Sequence, residues 1–279
     1  VSSTVLHLER VVDRLWPTSG AASWDASGLV SGSPTQHLSR ILLAVDAVEA
    51  TVAEAVDTQA DVLLVHHPLL LRGVTSVAQD HYKGALLARL IRADCALFTV
   101  HTNADVVADG VSAVIAASLG MADHTPILSI DGDDSAGGGS VGYGRVGSLP
   151  QPTTVGRLAR DLARLLPATA GGVRVAGGYH QPVSTVALCG GAGDSLLDAP
   201  AVVASDVYVT SDLRHHPASE AREQARFRGG TPALIEVSHW ASEWLWLATA
   251  AQQLRESLAD VEIIVSELRT DPWDFAIVE

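Results

Sequence analysis

Three short stretches carry side chains that could hold a metal ion. In LLVHHPLLL, His66 and His67 close an apolar run, and Pro68 stops that run from continuing as a central strand. In FTVHTNADVVADGV a second apolar run leads into His101, Thr102, Asn103 and Asp105. In IEVSHWASEWLW a third leads into His239 and Glu243, four residues apart, so that on a helix both project from one face. Imidazoles with carboxylates make a donor set for a divalent cation, and a His and a Glu at this spacing can serve one ion or two neighbouring ones. Each stretch alone has a plainer reading: turn histidines at 66 and 67, helix caps at Asn103 and Asp105, a surface pair at 239 and 243. Their coincidence at three strand ends, in a chain with 11 histidines, favours metal. Without thiolate the set suits Zn, Fe, Mn, Co or Ni and does not choose among them. If Glu243 bridges two ions, the arrangement is that of a two-metal hydrolytic centre, with ions about 3.5 to 4 Å apart activating water and stabilising a developing oxyanion.

Other stretches offer supporting chemistry. DVYVTSDLRHHPASEA runs a strand into Thr210, Asp212, His215 and His216 at the start of a helix. There His215 or His216 could meet a substrate phosphate or donate a proton near neutral pH; alternatively Asp212 is a helix cap and both histidines are solvated. Asp109 and Gly110 read as the cap of the helix after HTNAD. CGGAGDSLL reads as a glycine turn between a strand and a helix, without the Lys of a P-loop, and Cys189 as a small packed side chain. In SWDASGLVSGSP, Asp25 either orients a metal ligand or starts a turn beside a packed Trp24. Trp240, Trp244 and Trp246 read as helix packing or a subunit contact.

These residues need a scaffold that gathers strand ends. Short β-branched runs alternate with longer segments of helical period, the pattern of a mostly parallel sheet between helices, and such sheets collect ligands at the carboxyl ends of their strands. Strands are expected near 40–45, 61–65, 96–100, 184–189, 206–210, 233–237 and 261–266, and helices near 47–58, 82–93, 110–119, 153–166, 215–226 and 240–258. An N-terminal helix with Val5, Leu8, Val12 and Leu15 on one stripe carries charges throughout, unlike a signal peptide. DGDDSAGGGS at 131–140 reads as a flexible loop dividing a first α/β lobe, 1–130, from a second, 141–279. GYGRVGSLPQPTT is expected to re-enter structure at the start of the second lobe.

Composition sets outer bounds. A net charge of −14, with 18 Lys and Arg against 32 Asp and Glu, disfavours a phosphate-backbone binder and so a nucleic-acid partner. No apolar run approaches the roughly 20 residues of a membrane span. Two cysteines disfavour a disulfide framework and exclude a cysteine-rich zinc site; a soluble, cytoplasmic protein is the expectation.

The order WDASGL, VHHPLL, HTNAD, GYGRVG, GGAG, VTSD with HH, and HWASE resembles the NIF-three-like family, whose members are also named GTP cyclohydrolase 1 type 2 homologues. The resemblance runs almost end to end. It implies an α/β fold of two similar lobes of mixed sheet with flanking helices, a dinuclear metal site between the lobes, and a homohexamer built as a trimer of dimers. It further implies that His66, His67 and Asp105 are ligands from the first lobe, His239 a ligand from the second, and Glu243 the bridge. His101 belongs to the motif too and is placed beside the ligands or at substrate. The interval 124–182 is too short for the domain some members insert, so a single compact NIF-three-like domain is expected. Ser211 stands where the family commonly has Gly, and Ala26 and Ser27 replace a more usual Asn-Val pair.

The function so implied is a dinuclear-metal-dependent hydrolase of a nucleotide-like or other anionic small molecule, with two divalent ions per chain and with His101, His215 or His216 supplying acid or base. The alternative is a non-catalytic metal-binding hexamer serving as scaffold, store or adaptor.

Overall fold

The computed structural model describes residues 3–130 and 141–277; the loop expected at 131–140 lies outside them. The chain opens with helix α1 (Val5–Leu15) and strands β1 (Gly28–Ser31) and β2 (Arg40–Ala44). Helix α2 (Glu49–Asp57), β3 (Val62–Val65), α3 (Tyr82–Arg92), β4 (Ala96–Thr99) and the one-turn α4 (Thr102–Asp105) follow. Next come α5 (Val111–Ser118), β5 (Leu128–Ser129), β6 (Gly142–Tyr143), β7 (Arg145–Thr154), α6 (Val155–Leu165) and β8 (Arg174–Ala176). After them run β9 (Pro182–Ala192), α7 (Pro200–Val203), β10 (Val207–Ser211), α8 (His215–Phe227), β11 (Ala233–Glu236) and α9 (His239–Trp244). Helix α10 (Leu247–Ser257) and β12 (Glu262–Val265) complete the order.

Two compact units result, and their boundaries correct the expected division at 1–130 and 141–279. One unit is Val1–Ala104 with Leu247–Thr270, the other Asp105–Trp246 with Asp271–Glu279. Strand pairing is the physical reason. β12 registers in parallel with β2, Ile263 opposite Ile41, which draws the last strand into the first sheet. At the other boundary, Gly142 donates its N–H to Val106 O at 2.8 Å, and the buried Arg145 guanidinium bonds Val107 O at 2.6 Å and the carbonyls of Gly142 and Gly144 at 2.7 Å. Residues 105–107 are thereby tied to the second unit.

The first sheet has the order β1-β4-β3-β2-β12, parallel except for β1, which runs antiparallel to β4. Its inner strands are wholly apolar at VLLV and buried at every position of β3 and β4, as strands covered on both faces must be. Leu42, Leu63, Leu97, Val52, Leu86 and Leu90 form part of its core, and each such side chain contributes about 1.5–3 kcal/mol by leaving water. The second sheet has the order β7-β9-β10-β11-β8, with β9, β10 and β11 parallel and both edge strands antiparallel. Ala187, Val202, Tyr208 and Leu234 anchor its core.

All seven expected strands are present, and the fold is the expected mixed α/β one. The helix expected over 240–258 is two helices, α9 and α10, because the turn tightens where Trp246 N–H bonds Glu243 O at 3.0 Å and the Trp246 side chain is fully buried. CGGAG is not a turn into a helix: both its leading glycines lie within β9. Among the described residues no helix is long and apolar enough to cross a membrane.

Candidate metal centre

In the first unit three parallel strands deliver polar groups at their carboxyl ends. β2 runs into Asp46, β3 into His66 and His67, and β4 into His101. The ladder continues past β3, with His66 N–H to Ala44 O at 3.2 Å and His67 N–H to Val45 O at 2.9 Å, so both imidazoles start from a fixed backbone. The potential ligand atoms of His66, His67 and His101 lie within 4.8 Å of one another.

Each ring is oriented through Nδ1. His66, 1% exposed, sets Nδ1 2.9 Å from Val100 O. His67 sets Nδ1 2.7 Å from Asp46 Oδ1, and Asp46 in turn accepts the Thr270 hydroxyl. His101 sets Nδ1 2.8 Å from Asp25 Oδ1. A carbonyl or carboxylate can only accept, so Nδ1 donates and Nε2 is left for a ligand, the arrangement that metal-binding histidines use. Asp25 is pinned further by the Thr102 backbone N–H at 3.0 Å and by the Thr102 hydroxyl. Burial alone would raise the Asp25 carboxyl, but the bonds from His101 and Thr102 outweigh it and hold the group well below the usual carboxylate range. Asn103 is a brace: its amide donates to Trp16 O at 2.7 Å and its carbonyl accepts His101 N–H at 2.9 Å. Trp24, largely exposed, meets the His101 ring edge to face at 5.8 Å.

In the second unit β11 runs into Ser238, which caps α9 by accepting Ala241 N–H at 3.2 Å. That cap starts the helix so that His239 and Glu243 face one another, Nε2 to Oε1 at 2.9 Å, with Glu243 only 4% exposed. Asp212, at the end of β10, meets His239 Nδ1 at 2.7 Å. It does so from a left-handed backbone, φ 54°, which Asp tolerates through its short polar side chain. Asp212 therefore does not cap α8, whose N-cap is Arg214. The positive φ falls at Asp212 rather than at Ser211, which is buried in β10. Burial disfavours charge on His239, but the Glu243 carboxylate and the bonds to Asp212 and Glu243 outweigh it and raise the imidazole to about 11. Two carboxylates thus draw positive charge to this ring.

Gly191 makes room for the pair. Between Val209 and Ser211 of β10 the partner strand advances from Leu188 to Ala192, a bulge that carries Gly191 against α9 at φ 69°. A Cβ there would sit 2.6 Å from Glu243 Oε1 and 3.4 Å from His239 Nε2. The bulge is held by Gly191 N–H to Ser242 Oγ at 3.0 Å and Gly190 N–H to Ser112 Oγ at 3.1 Å. Asp105, the last residue of α4, is half-buried in this unit. Burial, then the charge of Asp105, pushes the Cys189 thiol up to about 12, with Glu243 adding to the effect, so Cys189 is no nucleophile.

His215 and His216 are exposed on the first turn of α8, their rings edge to face at 5.1 Å. His215 lines a shallow groove with Arg174, Leu213 and Glu236. Sequence reasoning had not singled out Asp46, although it follows an apolar strand just as His66 and His101 do. The glycines of CGGAG read as a turn whose backbone could approach a phosphate, and nothing local ties Gly191 to Glu243, which lies 52 residues on.

Each mixed sheet carries histidine and carboxylate at its strand ends, and comparison places the chain in a protein class. The family model Duf34/NIF3 (NGG1p interacting factor 3) matches residues 3–272. A Streptomyces coelicolor protein named GTP cyclohydrolase 1 type 2 homolog is 46% identical over 266 residues, covering 94% of this chain and 90% of its own. A Mycobacterium tuberculosis protein of the same name is 34% identical, with 95% of each chain covered. Among solved structures, a Bacillus cereus protein related to NIF3 superposes with a TM-score of 0.88 at 20% identity, covering 99% of this chain and 100% of that one. A Staphylococcus aureus protein superposes with a TM-score of 0.85 at 25% identity, with the same coverage. The chain belongs to the Duf34/NIF3 family.

Proposed function

We propose that this chain is a metal-dependent hydrolase in which His66, His67, Asp105, His239 and Glu243 hold a pair of divalent ions, Zn, Fe, Mn, Co or Ni, with Glu243 as the bridge. The ligand set rests on the order of the motifs and the family they define. The observation that carries the reading is the Nδ1 pattern: His66, His67, His101 and His239 each place Nδ1 at 2.7–2.9 Å from a carbonyl or carboxylate oxygen. Ordinary surface histidines are not oriented four times over in this way, whereas metal-binding imidazoles are.

When bound, such ions act as Lewis acids and make water acidic near neutral pH. The protein's own residues do the rest. Asp46 holds Nδ1 of His67 and Asp212 holds Nδ1 of His239, which leaves Nε2 of each ring to a metal ion; on His239 that ion would replace the Nε2 proton now shared with Glu243. Asp25 likewise holds Nδ1 of His101, whose Nε2 then takes a proton from the attacking water or returns one to the leaving group. His215 and His216, on an exposed first helical turn, meet an anionic part of the substrate and supply a further proton donor. The relatives' shared name points to GTP, or a similar anionic nucleotide, as the substrate class. In the same reading the chain works as a cytoplasmic homohexamer, a trimer of dimers, without nucleic-acid or membrane partners.

The test is a hydrolysis screen against nucleoside triphosphates with the metal-reconstituted protein and its Glu243→Ala and His67→Ala variants. Turnover lost in both variants together with metal is expected. Turnover that persists without metal would remove this reading.

A second reading, a non-catalytic metal-binding scaffold or adaptor, is favoured by Trp273, Phe275 and Ile277, whose apolar side chains are 68%, 76% and 82% exposed near the end of the described chain. Such a run is suited to contact with another protein. Metal binding without turnover on any nucleotide would move the weight to it.

A further inference from the structure

A second polar cavity lies in the second unit, at the other end of its sheet from Glu243. It has a volume of about 560 Å³ and is lined by Thr154, Arg157, Arg160, Asp161, Arg164, Tyr179 and His180. Thr154 pairs with Pro182, the first residue of β9, whereas Gly191, which touches Glu243, stands near the last. Nine residues of strand at about 3.3 Å each place the two ends about 30 Å apart along β9, so the cavity is at the far end of the strand from Gly191.

The charge of this cavity runs against that of the protein. The chain carries −14, yet α6 presents Arg157, Arg160 and Arg164 on one face while Val155, Leu158 and Leu162 are buried on the other. Asp161 pairs with Arg164 at 2.7 Å, so three arginines less one aspartate leave two positive charges, with His180 beside them. Among the described residues neither Arg157 nor Arg160 has a carboxylate partner. A solvated amphipathic helix in an acidic protein usually mixes signs on its outer face, and here the two unmatched guanidinium groups converge on one cavity.

The wall opposite the arginines is built rather than incidental. Gly156 N–H bonds Tyr179 O and Val155 N–H bonds Gln181 O, both at 3.0 Å, fastening residues 179–181 across the start of α6. A Cβ on Gly156 would lie 2.3 Å from the Tyr179 ring, so glycine at this position is what lets the ring rest on the helix. The ring sits under the Arg160 guanidinium at 5.5 Å and against the His180 imidazole at 5.0 Å, so it contacts both side chains.

We infer that this cavity is a phosphate-binding site, separate from the metal residues, in which Arg157, Arg160 and His180 grip the phosphoryl group of a small molecule. Planar guanidinium groups match phosphate oxygens bidentately, and a cavity of this volume fits a small-molecule ligand. The site is independent of the hydrolase reading.

The experiment is calorimetric titration of the full chain with inorganic pyrophosphate, alongside Glu243→Ala, the double variant Arg157→Gln with Arg160→Gln, and His180→Ala. Thermal melts confirm that each variant is folded. One pyrophosphate per chain, bound equally by wild type and Glu243→Ala but about tenfold or more weaker in the double variant, is expected. A parallel titration with ADP identifies the source of the phosphate: affinity equal to pyrophosphate means the phosphates alone are read, and tighter ADP means the base contributes against Tyr179. No binding by the wild type, or binding that the arginine and histidine variants leave unchanged, would overturn the proposal.

Discussion

The two units share a sheet plan and differ in what they hang on it. In each, three parallel strands (β2, β3, β4 and β9, β10, β11) carry an antiparallel edge strand beside the last of them, β1 on β4 and β8 on β11. In each, an Asp just before the middle strand clamps the start of its neighbour. Asp61 Oδ2 accepts Ser39 N–H, the Ser39 hydroxyl and Arg40 N–H at 2.6–2.9 Å; Asp206 Oδ2 accepts Ser184 N–H, Thr185 N–H and the Thr185 hydroxyl at 2.8–3.0 Å. The amino ends of the strands are therefore alike. The carboxyl ends are not: the first unit gathers three imidazoles, the second a histidine held by two carboxylates. One scaffold thus yields two different donor sets, imidazole nitrogens in one unit and carboxylates about a histidine in the other, because strand ends feed loops that vary without disturbing the pairing.

The sharpest way to break this comparison is at Gly191, the residue that makes room for the second unit's carboxylate. Gly191→Ala must place a Cβ 2.6 Å from Glu243 Oε1 at a positive φ. It is expected to cost about 1–3 kcal/mol in denaturant unfolding and to remove at least one ion per chain by elemental analysis. Asp46→Ala and Asp212→Ala come next, since each frees one imidazole, one per unit. Both should lower metal affinity about 10- to 100-fold in chelator competition while leaving the fold intact. A loss in only one would show that the units do not contribute alike.

The shared clamp predicts a symmetrical effect, on stability alone and with metal retained. Asp61→Ala and Asp206→Ala should each destabilise by about 1.5–3 kcal/mol in urea, the worth of hydrogen bonds to a charged acceptor. For Asp206, burial raises the carboxyl, but the backbone bonds from Thr185 and Ser184 and the Thr185 hydroxyl outweigh it and hold it below its ordinary value. A carboxyl lower in the folded than in the unfolded chain stabilises fully above the unfolded value, about 3.9, and loses that contribution as pH falls through the folded one. The gap between wild type and Asp206→Asn should accordingly be full at pH 7 and shrink below about pH 4. Smallest of all, Trp273→Ala and Phe275→Ala, both exposed, should shift stability by no more than about 0.5 kcal/mol.

Much of this was legible in the residues, and for particular reasons. VLLV at 62–65 is apolar throughout and ALFTV and ALIEV each carry a single polar residue, so their strands and the histidines beyond them could be placed without neighbours. Of the edge strands, β12 was placed and β1, β7 and β8 were not. β7 contains Pro150 and Pro152, which a strand tolerates only where its donors need no partner, and β1 and β8 have four and three residues. The unit boundary was misplaced at the glycine-rich 131–140 because composition marks a loop but not which sheet later receives β12. Asp25 showed a choice between two roles, and its bond to His101 decides for orientation. Asp212 was ambiguous in the same way, and a tertiary neighbour 27 residues on resolves it.

The central claim is that His66, His67 and His239 are oriented to bind metal through Nε2, with His101 oriented in the same way for acid–base work. Its most direct test is elemental mass spectrometry on the full chain, purified without a polyhistidine tag and reconstituted in turn with Zn, Fe, Mn, Co and Ni. Two ions per chain, falling in Glu243→Ala and His67→Ala, is the predicted result. No ion retained by the wild type under any of these conditions would contradict it.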